Sequence, residues 1–241
     1  MGRNNWFQFK QFKVIQEKAA MKIGTDAVLL GAWTDVLGAR RILDVGTGTG
    51  IIALMLAQRS EAQITAIEIE ENAADEAAGN ARKSPWEERI SVDTISFQEY
   101  AKTSKNKYDC IVSNPPFFSG DLKSANSNLA LARHNDLLSL PDIVEGATKL
   151  LSENGRLNLI FPVETALNFI NLAEKKNLYL TRLTWVSSSS SNKVHRYLLE
   201  FSKKKLSITT DFLNIRNDDG LDYSPEYKNL TCDFYLKFKP E

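Results

Sequence analysis

From residue 41 onward, short apolar runs alternate with longer stretches of helical periodicity. The spacing predicts strands over 41–45, 63–68, 89–94, 107–113, 156–161, 178–186 and 194–202. Helices are predicted over 49–59, 70–83, 139–152 and 163–175. Strand followed by helix, repeated, is the order of a parallel sheet covered on both faces. The last two strands bracket the run Ser187 to Ser191 and read as an antiparallel hairpin joined by a flexible loop. The expected fold is therefore α/β, a mostly parallel seven-stranded sheet ending in an antiparallel hairpin. Pro85 is expected to stop the alanine-rich helix, and Asn154-Gly155 to close the 139–152 helix as a glycine cap. A further helix is expected to begin at Thr25 or Asp26, either of which can cap it. Beyond 203 come a turn signal, Asn217-Asp218-Asp219-Gly220, and a strand-like tail, Phe234-Tyr235-Leu236-Lys237-Phe238. The organisation expected is 1–40 as a cap with its helix, 41–203 as the main domain, and 204–241 as an extension packing on that domain.

Composition narrows the class. A chain of 241 residues, 43% hydrophobic and 25% charged, suits one large globular domain. Thirty basic and thirty acidic residues cancel, so any nucleic-acid surface must come from local clustering. Two cysteines, Cys110 and Cys232, make no disulfide framework, and Cys110 lies in a predicted buried strand. The start, MGRNNWFQFKQFKV, has no apolar signal region, and no apolar run approaches the ~20 residues needed to span a bilayer. A cytoplasmic protein without a membrane partner is expected.

Candidate chemistry begins at the first predicted strand. Its end runs into Gly46-Thr47-Gly48-Thr49-Gly50, and a helix follows. Glycines permit positive φ and close approach of a ligand, and the helix start offers unpaired N–H groups. Dinucleotide binding wants a glycine at position 51, where Ile51 stands, and a phosphate loop wants a lysine that is not there. The D-x-G-x-G-x-G string from Asp44 to Gly50 resembles motif I of class I S-adenosylmethionine methyltransferases. Glu68 ends the second strand, where an acidic residue can accept both ribose hydroxyls, or it merely opens the next helix. Asp44 either orients the methionine end of such a cofactor or holds the turn. The Thr25-Asp26 segment either closes over that end or only caps its helix.

After the strand ending at Ser113 comes Asn114-Pro115-Pro116-Phe117. The Asn114 amide oxygen can accept one hydrogen of an exocyclic NH2, a carbonyl at the proline turn can accept the other, and Phe117 can stack on the ring. Such a grip leaves the nitrogen lone pair facing outward, toward an electrophile. The alternative is a plain proline turn.

Taken in order, these motifs resemble the bacterial tRNA1(Val) (adenine-N6)-methyltransferases. The strings that carry the likeness are Phe9-Lys10-Gln11-Phe12, Met21-Lys22-Ile23-Gly24-Thr25-Asp26, the glycine loop, Asn114-Pro115-Pro116-Phe117-Phe118, Ala132-Arg133-His134 and Asp233-Phe234-Tyr235-Leu236. The resemblance implies a Rossmann-like methyltransferase fold with S-adenosyl-L-methionine as cofactor. It further implies methylation of N6 of the adenine 3′ of the anticodon, position 37, in a valine tRNA. Catalytic residues would be Asn114, Pro115, Pro116 and Phe117. Cofactor contacts would be Thr25, Asp26, Asp44, Gly46, Thr47, Gly48, Gly50, Glu68, Ser96 and Asn114. Many such enzymes hold the cofactor adenine with an Asp after the third strand; here Ser96 stands at that place, with Asp93 three residues earlier. The methyl is activated by its sulfonium, so neither a metal nor a cysteine nucleophile is required.

The anticodon stem-loop needs a basic face. Residues 1–22 carry Lys10, Lys13 and Lys22 among Trp6, Phe7, Phe9 and Phe12, which suits stacking and phosphate contact. The same aromatics can instead pack down as a cover. Arg133 and His134 are further tRNA candidates, as is a second patch of Lys193, His195, Arg196 and Lys203-Lys204-Lys205. A monomer is the expected state. Rival readings are methylation of another NH2, such as an rRNA guanine or a release-factor glutamine, and a non-catalytic RNA-binding subunit.

Overall fold

The computed structural model describes residues 4–19, 22–115, 138–190 and 192–239. A short hairpin comes first, β1 (Trp6–Gln8) with β2 (Lys13–Ile15), and then helix α1 (Thr25–Trp33). Next come β3 (Arg41–Val45), α2 (Ile51–Arg59), β4 (Gln63–Glu68), α3 (Glu71–Arg82), β5 (Ile90–Thr94), α4 (Phe97–Thr103) and β6 (Tyr108–Ser113). The chain continues through α5 (Leu140–Leu150), β7 (Leu151–Pro162), α6 (Val163–Glu174), β8 (Tyr179–Ser187), β9 (Val194–Ser202), β10 (Thr209–Asn214) and α7 (Pro225–Thr231).

Strands β3 to β10 form one sheet in the order β10-β8-β9-β7-β6-β3-β4-β5. Pairing is parallel except where β9 runs against both β7 and β8. The expected antiparallel hairpin is present, and β10 adds an eighth strand, parallel to β8. It is mostly polar and exposed, with Leu213 alone buried and Phe212 open to solvent, so periodicity gave no signal for it.

Alternation along β3 divides the core. Ile42 joins the cluster built with α1 and α2, whereas Leu43 and Val45 join the cluster under α4, α5 and α6. The first cluster also takes in Phe9, Phe12 and Val14 from the hairpin region and Tyr227, Phe234 and Phe238 from the C-terminal extension. Hairpin and extension are tied by Lys10 N donating to Phe234 O at 2.8 Å.

Four local expectations are corrected. Asn154-Gly155 caps no helix: α5 ends at Leu150 and passes straight into β7, where Gly155 lies. A Cβ there would come within 2.6 Å of Tyr108 O, so the glycine serves a close strand approach. Neither Thr25 nor Asp26 caps α1, whose N-cap is Gly24 without a side-chain bond. The Phe234–Phe238 tail is no strand; its turns bury Phe234 and Phe238. The serine run starts inside β8 and is seated against the extension, with Ile215 N donating to Ser187 O and Arg216 N to Ser188 O. Helix α4 escaped prediction because only Phe97, Tyr100 and Ala101 turn inward from a polar heptapeptide. No helix among the described residues is long and apolar enough to cross a membrane.

Candidate active site

Register places the site. Val45 pairs with Ile67 on one side and with Ser113 on the other. The next residue on each strand, Gly46, Glu68 and Asn114, therefore emerges at one edge of the sheet, about 4.8 Å apart from strand to strand. Ser113 Oγ donates to Val45 O at 2.8 Å and fixes the Asn114 turn beside the glycine loop.

Gly46 N and Thr47 N both donate to Ile67 O, at 2.9 and 3.0 Å. The loop turns through φ of 69° at Gly46, 56° at Gly48 and 81° at Gly50. Space above Gly48 is open, so its need for glycine is conformational. Gly50 has the further constraint that a Cβ would press to 3.4 Å on Ala77.

Asp44 is fully buried beneath this loop. Its Oδ2 accepts from Thr47 Oγ1 at 2.6 Å and from Ala53 N at 3.2 Å, which holds the turn. Its Oδ1 has no partner among the described residues. Burial is the main cause that lifts the carboxyl from 3.8 to about 7, with Thr47 and Ala53 opposing and the Glu68 charge adding. The folded protein thus binds this proton more tightly than the unfolded chain does. The resulting stability is complete below about pH 4 and is lost as pH rises toward about 7, by up to about 4 kcal/mol. Asp44→Asn should flatten that slope, and urea unfolding of both proteins across this range checks it; parallel slopes would refute it.

Glu68 is engaged with backbone. Oε2 accepts from Gly48 N at 2.9 Å, and Oε1 from Ile69 N and Glu70 N at 2.9 and 3.1 Å. It does not open helix α3; Glu70 does, accepting from Asn72 N and Ala73 N. Beside it, Ile95 N donates to Glu68 O at 2.9 Å, which brings Ser96 to the same edge. The Ser96 hydroxyl accepts from Glu99 N at 3.2 Å and caps α4. Asp93 is exposed on β5, one residue before the Thr94–Glu68 pair.

Asn114 Oδ1 is buried and has no partner among the described residues. Pro115 is buried behind it. Pro116, Phe117, Arg133 and His134 lie outside the described residues. At the end of β7, Pro162 pairs with Arg196, whose Nε meets Asp26 Oδ2 at 2.8 Å. Asp26 is thereby joined to the same edge, one residue along α1 from the exposed Thr25. Burial and the Arg196 charge hold His195 below its ordinary pKa.

The three candidate lysines have partners of their own. Lys10 Nζ donates to Cys232 O at 2.6 Å, Lys13 Nζ lies 4.2 Å over the Trp6 ring, and Lys22 Nζ reaches Asn4 O at 3.4 Å. Phe9 and Phe12 pack down as cover, whereas Trp6 and Phe7 stay exposed. Cys110 is a core thiol that burial pushes up to about 12. No group of three or more His, Cys, Asp or Glu side chains among the described residues gathers as a metal site. Sequence reasoning missed Glu76 and Asn80 of α3, both buried. Their signal was a polar pair four apart on an alanine-lined helix face.

Residues 18–174 match the methyltransferase small domain family. The chain is 46% identical over 237 residues to the tRNA1(Val) (adenine(37)-N6)-methyltransferase of Trichodesmium erythraeum, spanning 97% of this chain and 99% of the relative. It is 45% identical over 233 residues to the protein of that name from Bacteroides fragilis, spanning 96% of this chain and 98% of that one. A crystal structure of a predicted O-methyltransferase from Agrobacterium tumefaciens superposes with a TM-score of 0.69 at 18% identity, covering 87% of this chain and 96% of that one. At that identity it speaks for the fold alone. Shared sequence along nearly the whole length, with motif order and architecture in agreement, means that the chain belongs to the tRNA1(Val) (adenine(37)-N6)-methyltransferase family.

Proposed function

We propose that the protein transfers a methyl group from S-adenosyl-L-methionine to N6 of the adenine at position 37, just 3′ of the anticodon, in a valine tRNA. The observation that carries this reading is the buried Oδ1 of Asn114, which has no partner among the described residues, one residue past the strand pair with Val45 and next to the glycine loop. A desolvated acceptor without a donor is costly, and an amino hydrogen would satisfy it.

The residues present fit the cofactor. A buried carboxylate oxygen on Asp44 without a partner among the described residues, beneath a loop with open space above it, suits a ligand rich in donors and positive charge. Gly46, Thr47, Gly48 and Gly50 would line it, Glu68 would accept from its ribose, Ser96 would face its adenine, and Thr25 with Asp26 would flank its methionine end. When bound, S-adenosylmethionine supplies a methyl already activated on a sulfonium. Asn114 Oδ1 takes one amine hydrogen of an adenine extruded from the anticodon loop, and the Pro115 carbonyl takes the other. Drawing on both protons localises the lone pair on nitrogen. Phe117 would supply a stacking face, Pro116 is proposed with it as part of the catalytic motif, and the proton leaves to water after transfer. Catalysis on this reading is mainly positioning and charge stabilisation.

Lys10, Lys13, Lys22, Arg133 and His134 are proposed to meet the anticodon stem-loop, with the protein acting as a cytoplasmic monomer. Incubation with labelled S-adenosylmethionine and unmodified tRNA is expected to place N6-methyladenosine at position 37 of a valine tRNA. Label on a release-factor glutamine, with tRNA left unlabelled, would overturn the substrate.

A further inference from the structure

Helix α3 is lined with alanine on its buried face, yet two polar side chains are packed there. Glu76 is 7% exposed and Asn80 is 1% exposed. Polar burial of this depth is unfavourable unless every group is paired. Here the partners are backbone groups far away in sequence. Glu76 Oε2 accepts from Glu17 N at 2.6 Å and Lys18 N at 2.7 Å, and Oε1 accepts from Ala19 N at 3.1 Å. Asn80 Oδ1 accepts from Ile15 N at 2.8 Å. Its Nδ2 donates to Ile15 O and to Thr49 O, both at 2.9 Å.

Asn80 thus pairs with Ile15 as a strand neighbour would, and its remaining amide hydrogen holds a carbonyl of the glycine loop. The linkage continues beyond Ile15. Gln16, also buried, accepts from Ile23 N at 2.9 Å, immediately ahead of α1 and of Asp26 with its Arg196 contact. One run of polar bonds therefore joins the glycine loop to the start of α1. An alanine or leucine face would have seated the hairpin by packing alone. What the amide adds is a fixed register between residue 15 and residue 49.

We infer that Asn80 and Glu76 are positioning residues for cofactor binding: they strap residues 15–19 onto α3, where Asn80 also holds Thr49 O of the glycine loop, and so set the wall of the cofactor cleft. The inference rests on the reading of that loop as an S-adenosylmethionine site. It assigns a role in binding to two residues whose side-chain polar groups are engaged with backbone.

The test is calorimetry with S-adenosylhomocysteine on wild type and Asn80→Asp. The aspartate keeps the shape and the acceptor for Ile15 N, but turns both donors into acceptors facing two carbonyls. Affinity is expected to fall about tenfold, or about 1.4 kcal/mol. Hydrogen exchange at 46–50 should rise in the free protein, and KM for S-adenosylmethionine should rise with kcat and tRNA affinity within about twofold. Homocysteine-product affinity equal to wild type overturns the inference. So does a loss spread evenly over thermal stability, kcat and tRNA binding, which marks a structural role alone. If Asn80→Asp does not fold, Glu76→Gln decides: it leaves the loop carbonyl untouched, and about threefold weaker binding is expected, with wild-type binding as the contrary result. Wild type that binds no S-adenosylhomocysteine would instead bring down the cofactor reading, and the strap's role with it.

Discussion

Asn114→Ala is expected to lower turnover about 100-fold or more while S-adenosylhomocysteine binding survives. The reasoning starts from what Oδ1 lacks. Most buried asparagines hold the fold together, and their truncation strands a partner. Asn114 Oδ1 has no partner among the described residues, so removing it strands nothing through that atom. Apo stability should therefore be unchanged or slightly raised, by about 1 kcal/mol at most. Asn158 is a useful contrast: its Oδ1 is also unpartnered, but it lies deep in β7 and its Nδ2 reaches Cys110 Sγ at 3.4 Å. Single-turnover kinetics, calorimetry and urea unfolding on one preparation separate these effects. Near-normal turnover would discard Asn114 as the group that holds the amine.

Glu68→Ala should weaken S-adenosylhomocysteine binding by about 30-fold, since charge-assisted hydrogen bonds contribute about 1.5–3 kcal/mol each. Two losses combine. The candidate ribose acceptor disappears, and the Gly48 amide at 2.9 Å loses the oxygen that fixes it. Glu68→Gln retains volume and one acceptor, and an intermediate affinity is expected. The same titration decides both variants, and an unchanged dissociation constant for Glu68→Ala would remove the residue from the cofactor site.

Some strands were legible to the residue: the limits 41–45, 63–68 and 194–202 stand as expected, whereas 156–161 covers only part of β7. Legibility failed where burial depends on a distant partner. Strand β10 is mostly exposed and polar and owes its place to β8. Hairpin β1–β2 is too short for periodicity and is seated by side chains of α3. Asn154-Gly155 carried a familiar turn signature, but the glycine answers to Tyr108 O on the neighbouring strand, which no local window contains.

The candidate site divides the same way. The glycine loop, Glu68 and Asn114 each terminate a parallel strand, and strand order alone brings them to one edge. Their motifs are contiguous, so spacing sufficed. Asp44 offered two roles; its Oδ2 bonds to Thr47 and Ala53 hold the turn, and they leave the cofactor role open to its Oδ1. Glu76 and Asn80 act on backbone 31 to 65 residues away, and an alanine-rich helix gives no hint of which segment will lie against it.

Lys10 and Phe234 meet through backbone, and Phe9 and Phe234 share one apolar cluster. That face of the core cannot close on a growing polypeptide until residue 234 has left the ribosome. Until then Phe9, Phe12 and Val14 have no complete seat, and this long loop closure is the step most open to aggregation during synthesis.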